Sequence, residues 1–183
     1  IMLDEVDKEL ERRGHKFCRF ANDCNIYVKR KKAGLRVLNN IKKLIEESLK
    51  LKVNEKKSAV DLVNRRKFLG FYFYFTKGVA QIRIHENSYK KLKSKVRDIT
   101  NRNKGISMEL RLLKLNQITM GWINYFGIAK AKANIQNIEV WIRRRLRACI
   151  WKQWKLPRTK CKNLVKLGMN KYKAYQYSNT RKG

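Results

Sequence analysis

Asn22 and Asp23 lie side by side in a short polar stretch between Arg19-Phe20-Ala21 and Cys24-Asn25-Ile26-Tyr27-Val28. Apolar and polar residues alternate on both sides, which predicts strands over Lys16–Phe20 and Asn25–Lys29 joined by a tight turn. A carboxylate in such a turn can hold a hard cation. Mg²⁺ requires several anionic oxygens in near-octahedral array, and Asn22 adds one neutral carbonyl oxygen. Asp23 is therefore a weak metal candidate, and the pair reads equally as ordinary turn residues. A second group is Asn54, Lys57 and Ser58, where an ammonium and a hydroxyl suit phosphate oxygens or simply a polar loop. Gly70, within Lys67-Phe68-Leu69-Gly70-Phe71, either admits a close backbone approach by a nucleic-acid strand or sits in a buried aromatic strand. The fourth group is cationic: Arg143, Arg144, Arg145, Arg147, Lys152, Lys155, Arg158, Lys160 and Lys162.

The balance of charge favours the cationic group. The chain has 183 residues, 46 Lys and Arg against 14 Asp and Glu, and a formal net charge of +32. A charge of this size repels itself and calls for a polyanion. With 43% hydrophobic residues the chain can still bury a core, which excludes a disordered basic tail. A basic folded domain that carries aromatics is first a nucleic-acid binder. The last acid is Glu139, and Val140 to Gly183 holds 14 Lys and Arg with no acid to pair with them. Consecutive arginines point around a helix, so no single face takes them all.

Other chemistry has less support. Cys18, Cys24, Cys149 and Cys161 form no C-x-x-C pair, and His15 and His85 stand apart, which argues against zinc. Cys18 and Cys24 fall at apolar strand positions and are expected as buried thiols in a reducing, cytoplasmic setting. No apolar run is long enough to cross a membrane, so no membrane partner is expected. The chain opens at Ile1 directly in a helical pattern, as a fragment would.

These residues need elements to hold them. A short helix is expected over Asp4–Arg13, ended by Gly14, then the hairpin, then an amphipathic helix over Ala33–Leu49 with Leu38, Ile41, Ile45 and Leu49 on one face. Phe68–Phe75 reads as a buried strand, turned by Thr76-Lys77-Gly78 into Val79–His85. Beyond it the pattern is helical. Ser88 is the expected cap of a helix bearing Leu92, Val96 and Ile99, and Ser107 of one bearing Leu112 and Leu115. The loop Asn101–Gly105 lies between them. Gly121 either continues or breaks the second helix. A long helix is expected over Ile135–Lys155, stopped by Pro157, and a basic one over Lys160–Leu167. Trp122, Tyr125, Trp141, Trp151 and Trp154 read mainly as core or interface, with one or two free to stack on bases. The fold class is α+β, with a boundary near residue 86.

The order of motifs adds a resemblance. Leu3-Asp4-Glu5-Val6-Asp7-Lys8-Glu9-Leu10, Phe20-Ala21-Asn22-Asp23, Leu51-Lys52-Val53-Asn54-Glu55-Lys56-Lys57-Ser58 and Lys67-Phe68-Leu69-Gly70-Phe71 together resemble the later palm blocks of group II intron reverse transcriptases. Gly121-Trp122-Ile123-Asn124-Tyr125-Phe126-Gly127, Trp141-Ile142-Arg143-Arg144-Arg145-Leu146-Arg147 and Trp151-Lys152-Gln153-Trp154 resemble the thumb or maturase-specific domain of the same proteins. The resemblance implies an incomplete palm over 1–86 and a helical thumb/maturase domain over 87–183. It implies RNA-directed DNA polymerase parentage within a mobile element, with Mg²⁺ as the cofactor of the intact family. It places Asn54, Lys57 and Ser58 near the template–primer duplex and Gly70 in the primer-grip turn.

Two departures bear on activity. Nothing here corresponds to the strands that carry the family's first metal-binding aspartate, and its Y-A-D-D box stands as Phe20-Ala21-Asn22-Asp23. The chain alone is therefore expected not to polymerise DNA nor to hold Mg²⁺ tightly. The expected role is binding structured group II intron RNA and assisting its splicing. A DNA primer–template, a second copy of the chain and the preceding half of the protein remain open as further partners. The alternative is a generic basic structural protein of a ribonucleoprotein.

Overall fold

The computed structural model describes residues 3–129 and 131–180. The chain is α+β and divides into two compact units, Ile1–Phe75 and Thr76–Gly183. The division falls at the turn between the last two strands, whereas the sequence placed it near residue 86.

The first unit opens with helix α1 (Asp4–Arg12), which buries Val6 and Leu10, four residues apart on one face. Strands β1 (Lys16–Phe20) and β2 (Asp23–Tyr27) pair antiparallel, from Lys16 opposite Tyr27 to Phe20 opposite Asp23. The loop is thus only Ala21-Asn22, with Ala21 in the left-handed region at φ 51°. β2 begins two residues earlier than expected because a two-residue hairpin loop draws Asp23 into the ladder. Arg19 ion-pairs with Asp7 of α1. Cys18 and Cys24 are exposed rather than buried, and they lie on opposite faces of the hairpin, since Cys18 stands opposite Asn25 and Cys24 opposite Arg19. Helix α2 (Lys31–Lys43) runs on into a π-helical turn, Leu44–Ser48. Gly34 is buried where a Cβ would stand 2.6 Å from Val60 Cγ1, so only glycine lets α2 come this close.

The aromatic stretch differs from its sequence reading. Phe68 and Phe71 exchange two 2.9 Å backbone hydrogen bonds across Leu69 and Gly70. Both turn residues have positive φ, 50° and 84°. Strand β3 (Phe71–Thr76) starts only after this turn, and it is buried at Phe71 but 64% exposed at Phe75. Strand β4 (Val79–Ile84) follows in a second antiparallel hairpin.

Helices α3 (Glu86–Ile99), α4 (Met108–Phe126), α5 (Lys132–Gln153), α6 (Pro157–Lys166) and α7 (Lys171–Ser178) complete the second unit. Its core joins Leu92, Val96 and Ile99 of α3 to Leu115 of α4 and Ile138 of α5, with Trp122, Trp141 and Leu146 packed against them. Each fully buried aliphatic of this kind contributes about 1.5–3 kcal/mol. Leu112, expected on the same face as Leu115, is 50% exposed. Residues three apart differ by about 60° around a helix, enough to carry Leu112 past the edge of the core.

Helix ends refine the sequence reading in the same way. α3 is capped by His85, whose Nδ1 accepts from Asn87 N at 3.1 Å, while Ser88 is buried one turn inside. Ser107 caps α4, its Oγ accepting from Leu110 N at 3.2 Å. Glu109 in that first turn titrates below the usual range, held down by backbone and Ser107 hydrogen bonds. Gly121 continues α4. Pro157 does not stop α5, which already ends at Gln153; it occupies the first turn of α6, where its missing N–H has no cost.

Candidate nucleic-acid interface

The cationic residues of α5 and α6 divide into two classes, and the end of α3 decides which is which. A helix C-terminus leaves carbonyl oxygens without intrahelical partners and carries about half a negative charge. At α3 these carbonyls are taken by two guanidinium groups from other helices. Arg111 of α4 is 2% exposed. Its Nη1 donates to the Ile99 carbonyl and, at 3.3 Å, to that of Asn101, and its Nη2 donates to the Lys104 carbonyl at 3.2 Å. Arg145 of α5 donates through Nε to Thr100 Oγ1 at 2.5 Å and through Nη2 to the carbonyls of Arg97 and Thr100, each at 3.4 Å. Cys149 Sγ donates to the Thr100 carbonyl at 3.3 Å. No carboxylate neutralises Arg111; the dipoles of the helix end do so instead.

Arg145 therefore works inside the fold. Its guanidinium also lies 5.5 Å from the Trp141 ring centroid, with Arg97 at 5.7 Å. Lys160 is likewise internal: it is 8% exposed and its ammonium sits 4.9 Å from the Trp151 ring. Both were candidate phosphate contacts from sequence, and both are committed to holding helices together. Lys152 is exposed but tied at 2.7 Å to Asn103 Oδ1, which braces the α3–α4 loop.

The other cations are free to meet a ligand. Arg143, Arg144 and Arg147 are exposed on α5, and their spacing places them on one side of it. Arg143 pairs with Glu139 one turn earlier at 2.5 Å, so the arginine run does find one acid, just outside the acid-free segment. Exposed pairs of this kind are worth at most about 1 kcal/mol and yield readily to a phosphate. Arg158 and Lys162 are exposed one turn apart on α6, in register with exposed Lys166, and Lys155 is exposed between the two helices. The surface is thus two basic helix faces on a scaffold whose internal cations are already spoken for.

The palm-like residues are not brought together into a comparable site. Asn22 is exposed in the two-residue loop and Asp23 is exposed at the start of β2. Among the described residues no group of three or more His, Cys, Asp or Glu is arranged to hold a metal ion. One carboxylate beside one amide does not fit the anionic oxygen set that a Mg²⁺ pair requires. Asn54 accepts at its carbonyl from Lys57 N and Ser58 N, at 3.1 and 3.0 Å, and is first a turn residue. Lys57 is exposed and Ser58 half-buried. Gly70 completes the tight turn before β3.

Residues 89–176 match the family model for the group II intron, maturase-specific domain. The helical half of this chain is thus similar to the group II intron maturase-specific domain. The match runs from Tyr89 of α3 into α7 and so takes in both basic helix faces and the Arg111–Arg145 clamp. A comparison with curated proteins finds no match. No helix among the described residues is long and apolar enough to cross a membrane.

Sequence reasoning missed two features of this domain. Arg111 gave no signal because one arginine in an amphipathic helix looks solvated until the helix it caps is in place. Helix α7 was not foreseen, because its eight residues carry little apolar periodicity; Asn170, whose Oδ1 accepts from Tyr172 N at 2.9 Å, was the available sign of its start.

Proposed function

We propose that this chain is the C-terminal region of a group II intron-encoded reverse transcriptase/maturase and that it grips structured intron RNA to assist splicing. The observation that carries the reading is the α5 face of Arg143, Arg144 and Arg147, which is exposed and lies within the maturase-specific domain. Cations on one side of a rigid helix can follow a line of phosphates, and shape rather than sequence then selects the RNA. Arg158, Lys162 and Lys155 extend the contact. Lys57, with Ser58, is a subsidiary phosphate contact in the other unit. The palm-like unit marks polymerase ancestry, and with Asn22 beside Asp23 it does not hold the metal pair that DNA synthesis needs.

The test is binding to a folded group II intron RNA and to an unrelated RNA of equal length, in about 0.15 M salt where the Debye length is about 8 Å. A preference for the intron is expected, with log K falling by about 0.7–0.9 per phosphate contact for each unit of log salt. Replacing Arg143, Arg144 and Arg147 together by Glu should remove most of the affinity while leaving the circular dichroism spectrum unchanged. Equal affinity for the two RNAs would refute the maturase reading and leave a general polyanion binder.

A further inference from the structure

Helix α7 buries a narrow face and displays large rings on the other. Ala174 is 0% and Ser178 2% exposed, one turn apart, and their small side chains seat α7 against α6. Asn170 caps one end of the helix. Beyond the other end the Thr180 carbonyl accepts from Trp151 Nε1 at 3.1 Å. Lys160, stacked on the same Trp151, ties α6 into this pedestal. The helix is therefore a fixed mount. On its open side Tyr172 is 70% and Tyr175 65% exposed, three residues apart and so about 60° apart around the axis. Tyr177 is 52% exposed on the flank. Lys171 and Lys173 are exposed beside them.

Rings left in water on a rigid element contribute little to folding, so what they meet lies outside the chain. The surrounding charge says what that is. No acid follows Glu139, which disfavours a basic partner and favours a polyanion. Unpaired RNA supplies both halves of the match, phosphates for the lysines and flat base faces for the rings, whereas a duplex hides its base faces in the stack. We infer that Tyr172 and Tyr175 form a platform on which unpaired bases of the bound RNA stack, with Lys171 and Lys173 on the adjoining phosphates. This rests on the RNA-binding reading above and adds to it a preference for single-stranded segments.

The experiment compares the full chain with Y172A/Y175A and Y172F/Y175F on a single-stranded RNA of about 12 nucleotides carrying 2-aminopurine, and on the same sequence as a duplex. The Ala variant is expected to bind the single strand at least about 10-fold more weakly and to lose the stacking-induced quenching of 2-aminopurine. Its salt slope should not change, because no charge is removed. The Phe variant keeps both affinity and quenching, since the ring and not the hydroxyl does the work. Wild-type affinity and quenching in the Ala variant overturn the inference, as does an equal loss on single strand and duplex. So does a change confined to sedimentation behaviour, which makes the face a protein contact. Failure of the unmodified chain to bind RNA at all counts instead against the proposed function.

Discussion

Arg111 shows how much one side chain can decide. It is a charged residue at 2% exposure with no acid beside it, a placement that ordinarily costs several kcal/mol. Its donors tie the Ile99 carbonyl at the end of α3 to the carbonyls of Asn101 and Lys104 in the loop that follows. Replacing it by Met keeps the stem and removes the donors. We expect Arg111→Met to lower unfolding stability by about 2–3 kcal/mol, read from the urea midpoint. Arg143→Met, on the open face of α5, should move it by no more than about 0.5 kcal/mol. Similar shifts for the two variants would mean that the clamp is not what holds the α3–α4 loop. The two arginines are alike in sequence; only the neighbour each one meets separates a brace from a contact.

At the scale of elements, two glycines in helices make opposite demands. A Cβ at Gly121 would meet nothing within 4 Å, whereas one at Gly34 would meet Val60 at 2.6 Å. Gly121→Ala should therefore stabilise the helical unit by about 0.5–1 kcal/mol through reduced backbone entropy in the unfolded chain. Gly34→Ala should cost about 1–3 kcal/mol by overpacking. Thermal unfolding of the two variants checks both, and a stabilised Gly34→Ala would show that the close approach of α2 to Val60 is not required. The sequence anticipated the helices with strong periodicity, α1, α2 and α3, and the Ser107 cap, since each depends on neighbours within a turn or two. It missed α7, and it placed Leu112 in the core and Cys18 and Cys24 inside, because burial depends on what packs from elsewhere. It took Pro157 as a stop where the chain uses it as a start, a choice set by the helix that follows.

For the whole molecule, charge is the governing quantity. At +32 the folded chain is under strong self-repulsion, and few of its cations have an acid to answer them. Added salt shortens the Debye length from about 30 Å at 0.01 M to about 10 Å at 0.1 M. The thermal midpoint should therefore rise over that range and rise further with a polyanion bound. A midpoint that falls or stays flat with salt would show that repulsion is not what limits stability. What the sequence determined by itself was the excess of positive charge, the α+β fold and the maturase-like motif order, because net charge, periodicity and motif spacing are properties of the chain in any conformation. What the tertiary structure decided was the job of each basic residue. It sent Arg111, Arg145 and Lys160 inward to close helix ends and cover rings, and left Arg143, Arg144, Arg147 and the α7 tyrosines outward. A guanidinium binds a phosphate or a carbonyl end equally well, and only the fold determines which of them is within reach.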